Sequence, residues 1–274
     1  MWTDAGLNLT NPGFAGNETA LLQQAVTAGV NRFTLIGTSV LESEAAAELA
    51  ATLPGCIATA GVHPHAAQAV PGDYLQQLRS LAGQPQVRAI GECGLDYNRN
   101  YSPPATQRTV FREQLELAVE LQLPVYLHER DAQTDQLALL REFRDHLPAL
   151  FTHCFTGGPA ELEAYLELDC YIGITGWVCD ERRGQALQQA VPLIPANRLV
   201  LETDAPFLKP RTIRPRPKTR HNQPAWLTWT AAQVAALRRE AEAELAWQTT
   251  TNVQRLFGDW PAAESEALVV TEQK

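Results

Sequence analysis

Four of the chain's six histidines, His63, His65, His128 and His153, stand at the ends of short apolar runs, and so do Glu92, Glu202 and Asp204. A random scatter would put most of them on helices and loops. Side chains of an extended segment alternate faces, so His63 shares a face with His65, and Glu202 with Asp204. Glu92, His128, His153 and Asp204 come from four separate runs. Two imidazoles and two carboxylates brought together suit a divalent cation, which can lower the pKa of a bound water and clamp a phosphoryl oxygen. In "VRAIGECGLDY", residues 87–97, glycines stand on both sides of Glu92. Without a Cβ they permit a sharp turn at the strand end and a close approach of metal and phosphate to the backbone.

Side chains from separate runs meet only if the runs lie side by side. Eight β-rich runs, "WTDAGLNL", "RFTLIGT", "CIATAGVH", "VRAIGE", "PVYLHE", "ALFTHC", "CYIGITG" and "RLVLETD", alternate along the chain with helical patterns. In "PATQRTVFREQLELAVELQL" and "DAQTDQLALLREFRDHL" apolar residues recur at three- and four-residue intervals, as an amphipathic helix requires. The alternation predicts an α/β fold, a (β/α)8 TIM barrel in a single domain over residues 1–258, with an open doubly wound sheet as the rival arrangement. Strand ends of such a barrel converge on one mouth. Two further helices are expected over "PAWLTWTAAQVAALRRE" and "AELAWQTTTNVQRLF", followed by an acidic tail, residues 259–274, expected to fray. Asp131 is expected to cap the helix after the fifth strand.

The composition, 45% hydrophobic over 274 residues, supports one large core. No run is apolar and long enough to span a bilayer, and the opening residues lack a secretory signal, so a cytoplasmic location without membrane attachment is expected. Five cysteines without a Cys-x-x-Cys pair indicate reduced thiols rather than a disulfide framework. Cys93 and Cys154 each follow a candidate ligand, and strand alternation is expected to turn both away from the mouth. The net charge of −9 excludes a protein that coats itself with nucleic acid, but leaves room for a local basic site. "KPRTIRPRPKTR", residues 209–220, is such a place, with six basic residues and no acid.

The motifs "AGVHPH", "AIGECGLDY", "PVYLHERD", "THCFTG", "YIGITGWVCDERRG" and "LVLETDAPFL" together resemble the TatD-type metal-dependent deoxyribonucleases over about residues 3–258. The resemblance implies a TIM barrel, a divalent-metal site on Glu92, His128, His153 and Asp204, and a magnesium-dependent 3′-to-5′ exonuclease. That enzyme would prefer single-stranded DNA, accept RNA and serve DNA repair or degradation; the chain is separately expected to be a monomer. Ligand chemistry alone leaves manganese or zinc open, because magnesium favours oxygen donors.

The wider family usually carries Asp-x-His-x-His on its first strand, where this chain reads "DAGLN". Gly6 offers no ligand atom and Asn8 only a neutral amide, so one firmly bound ion and a weak second one are expected. Restoring histidines at positions 6 and 8 is expected to strengthen the second site. Asp204 is the candidate to orient or deprotonate the attacking water, beside Glu92, and His63 to bind phosphate or protonate the leaving oxygen. Substrate contacts are expected from His65, Arg130, Glu202, Arg211, Arg214 and Arg216, and base stacking from Tyr97, Tyr101, Phe155 or Trp177.

Competing readings are a metal-dependent esterase acting on tRNA or a small substrate, and an inactive barrel that binds nucleic acid or a protein. An amidohydrolase with a bridging carboxylated lysine is disfavoured, since the chain's lysines, Lys209, Lys218 and Lys274, all lie away from strand ends.

Overall fold

The computed structural model describes residues 1–260; the expected fraying of the tail concerns residues that lie almost wholly outside those described. Eight strands appear where the runs predict them: β1 (Trp2–Leu7), β2 (Val30–Leu35), β3 (Cys56–Ala60), β4 (Val87–Asp96), β5 (Val125–Arg130), β6 (Leu150–Thr152), β7 (Tyr171–Ile174) and β8 (Leu199–Leu201). Each pairs in parallel with the next, in chain order. A bridge between Leu7 and Ala205 closes the ring, which excludes the open doubly wound sheet. At this seam the Asp204 N–H donates to the Gly6 carbonyl at 2.8 Å and the Asn8 N–H to the Ala205 carbonyl at 2.9 Å. Barrel closure therefore passes through a candidate ligand.

Nine helices accompany the strands among the described residues: α1 (Glu18–Thr27), α2 (Val40–Thr52), α3 (Tyr74–Ala82), α4 (Pro104–Leu121), α5 (Gln133–Phe143), α6 (Pro159–Leu166), α7 (Gln185–Ala190), α8 (Leu227–Arg238) and α9 (Glu242–Phe257). In α4 a proline in the first turn suits the start, where the missing N–H has no helical partner. Val110, Phe111, Leu115 and Ala118 turn one face into the core. Two glutamines on the buried face anchor the mouth: Gln114 exchanges two hydrogen bonds with the Val62 backbone, and Gln107 two with the Asp96 backbone.

Helix α9 plugs the opposite end. Its Val253, Leu256 and Phe257 pack with Ala5, Ile57, Ala89, Tyr126, Phe151 and Val200 of the barrel interior. Burying a side chain such as Phe257 stabilises the fold by about 1.5–3 kcal/mol. Asn252 holds the chain entering β8 by donating to the Ala196 and Leu199 carbonyls.

Asp131 does not cap α5. It takes a left-handed conformation, φ 53°, and accepts from Asn98, while Ala132 occupies the cap position and the Glu129 carboxylate receives its N–H at 2.7 Å.

Candidate metal centre

The Glu92 carboxylate is the hub of the mouth. Its Oε1 lies 2.8 Å from His128 Nδ1, 3.6 Å from His63 Nε2 and 3.9 Å from His153 Nε2. Asp204 completes the set, with Oδ1 3.7 Å from His153 Nε2. The residues expected from four strands thus line one mouth, where two sets have donor atoms within 4.8 Å of one another: His63, Glu92 and His128, and His153, Cys154 and Asp204. Glu92 and His153 are buried, whereas His63, His128 and Asp204 keep partial exposure toward the mouth.

The glycines beside Glu92 serve the backbone rather than a ligand. Gly91 and Gly94 have φ of 129° and 143°, and a Cβ on them would collide with the Tyr126 and His128 carbonyl oxygens of β5. What they admit is the neighbouring strand, so the expected room for metal and phosphate on that side is absent.

A carboxylate stands behind each of the two candidate ligand histidines. Glu202, with no solvent exposure, accepts from His153 Nδ1 at 2.6 Å, the Tyr126 hydroxyl at 3.0 Å and the Cys154 N–H at 2.5 Å. A wholly enclosed group cannot touch a substrate, so the expected substrate contact at Glu202 is replaced by a role beneath His153. Asp96 lies behind His128, its Oδ2 3.5 Å from His128 Nε2 and 2.6 Å from His65 Nε2. The N–H groups of Asn98 and Arg99 tie down its other oxygen. Buried His128 Nε2 has no hydrogen-bond partner. With an ion on Nδ1, that nitrogen would carry the proton and face Asp96. Carboxylates behind ligating histidines are a recurrent feature of metal sites, and the donor set fits a divalent ion.

Burial raises Asp204 to about 7, against the pull of His153 and with Glu92 and Glu202 adding to the rise. Burial also works to raise Glu92, but His63, His153 and His128 outweigh it and hold the group below the usual carboxylate range. It opposes charge on His128 too, yet Asp96 and Glu92 lift that ring to about 9. For His153, Glu202 and Glu92 overcome the same penalty and lift it to about 10. His63 goes the other way, to about 3, through burial and the neighbouring His128.

His63 Nδ1 accepts the His65 N–H at 3.1 Å, capping the 3-10 turn Pro64–Ala69. The proton of the neutral ring therefore sits on Nε2, directed at the mouth. His65 is one step removed from the ligands, paired with Asp96 and edge-on to exposed Tyr101 at 4.7 Å between ring centroids.

The basic residues are less available than their number suggests. Arg211 forms a double hydrogen bond with Glu181, and Arg214 donates to the Arg211 and Ile213 carbonyls. Arg216 is exposed and makes no ion pair among the described residues. Arg130 lies over Trp177 at 5.7 Å, with Arg183 at 4.4 Å from the same ring. Phe155 is buried against Tyr165, and Tyr97 donates to Asp135, which leaves Tyr101 and Trp177 as the stacking candidates.

Gly6 is filled space. A Cβ there would collide with the Tyr126 hydroxyl and the Glu202 carboxylate, so a histidine at position 6 cannot simply be added. Asn8 donates to Asp204 Oδ1 at 2.8 Å. Cys154 also departs from expectation: with φ 47° the chain leaves the strand path, and its Sγ joins His153 and Asp204 instead of turning away. Cys93 does turn away, into the core toward the Tyr126 carbonyl.

Asp96 and Tyr126 were not foreseen. Period-two alternation from Glu92 through Gly94 reaches Asp96, and from His128 back to Tyr126, so the signal was present in the same two runs.

The model of the family described as TatD related DNase matches residues 3–258. The chain belongs to the TatD-related DNase family. Among its relatives within that family, a protein of Cronobacter sakazakii named 3′-5′ ssDNA/RNA exonuclease TatD is 51% identical over 254 residues, covering 93% of this chain and 97% of that one. A protein of the same name from Escherichia fergusonii is 47% identical over 255 residues, 93% and 98% of the two chains. The crystal structure of YjjV, a TatD homologue from Escherichia coli, superposes with a TM-score of 0.86 at 28% identity, over 94% of this chain and 98% of that one. Among the described residues of this TatD-family chain, no helix is long and apolar enough to cross a membrane.

Proposed function

We propose that the chain is a divalent-metal-dependent nuclease that removes nucleotides from the 3′ end of single-stranded DNA and RNA in the cytoplasm. The observation that carries this reading is the convergence of Glu92, His128, His153 and Asp204 at one mouth, in a chain about half identical to relatives named as such exonucleases. These four residues would hold the ion, magnesium in working conditions with manganese as a substitute. When bound, the ion supplies the charge that attracts a phosphoryl oxygen and acidifies a neighbouring water.

Asp204 is suited to accept a proton from that water, since it lines the mouth beside His153 and Asn8 fixes one of its oxygens. His63 offers its Nε2–H to a phosphate oxygen. Of the two roles considered for it, holding phosphate is favoured, because a ring lowered to about 3 is neutral and a poor acid at neutral pH. Arg216 and the arginines beside Trp177 supply positive charge for phosphates farther along the strand. The unpaired cysteines suit a reducing compartment.

The test is digestion of strands labelled at the 5′ or 3′ end, as single-stranded DNA, duplex DNA and RNA, with magnesium, manganese or EDTA. Immediate release of a labelled mononucleotide from 3′-labelled single strands, abolished by EDTA, is the expected result. Internal cuts, or activity indifferent to EDTA, would contradict it.

A further inference from the structure

We infer that Cys154 gives the centre a sulfur donor, forming with His153 and Asp204 a position for a thiophilic divalent cation such as zinc or cadmium. A ring nitrogen of His153, the Sγ of Cys154 and a carboxylate oxygen of Asp204 all lie within 4.8 Å of one another. This geometry arises because Cys154 leaves β6 in the left-handed region, φ 47°, where a cysteine has no steric reason to sit. Its N–H is held there by Glu202 at 2.5 Å, so the carboxylate that orients His153 also turns the thiol.

The Cys154 Sγ makes a hydrogen-bond contact with the Thr175 hydroxyl at 3.6 Å, a weak contact that an ion can displace. Unlike Cys56, Cys93, Cys170 and Cys179, Cys154 is not fully buried.

Sulfur, nitrogen and oxygen donors together discriminate by softness: zinc and cadmium take thiolate readily, whereas magnesium keeps to oxygen. Binding is a proton-for-metal exchange in which the S–H bond breaks, the metal–sulfur bond forms and the proton leaves to solvent. There is no change of oxidation state. The inference rests on the assignment of His153 and Asp204 as metal ligands. Because those two residues serve both ions, a soft cation seated toward Cys154 competes with the hard cation that supports turnover, and zinc becomes an inhibitor of the magnesium-supported reaction.

The experiment is a cadmium titration of the full chain, followed by the sulfur-to-cadmium charge-transfer absorption in the ultraviolet, on the wild type, Cys154→Ser and Cys154→Ala. Manganese binding is measured in parallel. The wild type should develop the band with one equivalent of cadmium, and both variants should lose it and bind cadmium at least roughly tenfold more weakly. Zinc inhibition, scored against each protein's own magnesium rate, should weaken by a similar factor. Cadmium binding to the wild type without the band, or a band retained in both variants, overturns the assignment of Cys154 while leaving the metal centre in place. Failure of the wild type to bind either manganese or cadmium overturns the centre itself. Cadmium binding to the wild type without the band overturns the assignment even if a variant fails to fold.

Discussion

Glu202 Oε2 and His153 Nδ1 lie 2.6 Å apart beneath the mouth, the carboxylate fully enclosed and the other ring nitrogen facing Asp204 and Glu92. The ring is thereby held in one orientation before any ion arrives. Glycines on two strands make the chamber, since a Cβ at Gly6 or Gly173 would strike the Glu202 carboxylate.

Replacing Glu202 with Gln should weaken manganese binding about 10–100-fold, the usual cost of losing the partner of a ligating histidine. Calorimetric titration reads this directly. Unchanged affinity would mean that packing alone orients His153.

Asp96→Asn should act on the second histidine. An amide NH2 facing His128 Nε2 favours a proton on Nδ1, the nitrogen that faces Glu92, so metal affinity should again fall roughly tenfold or more. Melting of the metal-free variant should stay near wild type if the effect is one of orientation. A large drop in melting temperature with normal metal affinity would assign Asp96 to the fold instead.

Gly6→Ala should cost about 1–3 kcal/mol in stability through overpacking against Tyr126 and Glu202. The pair Gly6→His and Asn8→His should fail to create a second tight metal site, because the space is taken and Asp204 loses the Asn8 hydrogen bond. Calorimetry showing two tight ions in that double variant would refute this.

Without metal, stability should decline as pH rises from about 7 to 10. His128 and His153 are raised to about 9 and 10, so their contributions are complete below the ordinary 6.5 and disappear as pH passes through the raised values. Asp204, raised to about 7, has the same sign, its contribution present below 3.8 and lost through 7. His63 and Glu92 are lowered, so their opposite effects are complete below this window. Manganese should reverse the trend, since it binds the deprotonated donors. Melting curves with EDTA and with manganese at several pH values test both signs.

The barrel was legible because its strands are short apolar runs at regular spacing, and so were Glu92, His128, His153 and Asp204, which end those runs. What lies beneath them was harder to read. Glu202 shares a strand end with Asp204, and the bend that puts Asp204 at φ 54° separates a partly exposed carboxylate from an enclosed one. Cys154 was misread for the same reason, since alternation holds only while the chain stays extended. The pairing of Arg211 with Glu181 joins residues 30 positions apart through two loops, a contact that no periodicity announces.

The most direct test of the proposed centre pairs manganese binding with 3′-end turnover in Glu92→Ala and His153→Ala. Loss of metal-supported charge stabilisation worth several kcal/mol corresponds to at least about a hundredfold fall in rate. Each variant is predicted to lose tight manganese binding and most turnover while keeping the wild-type circular dichroism spectrum. A variant that folds, binds manganese as the wild type does and degrades single strands at near wild-type rate would contradict the account.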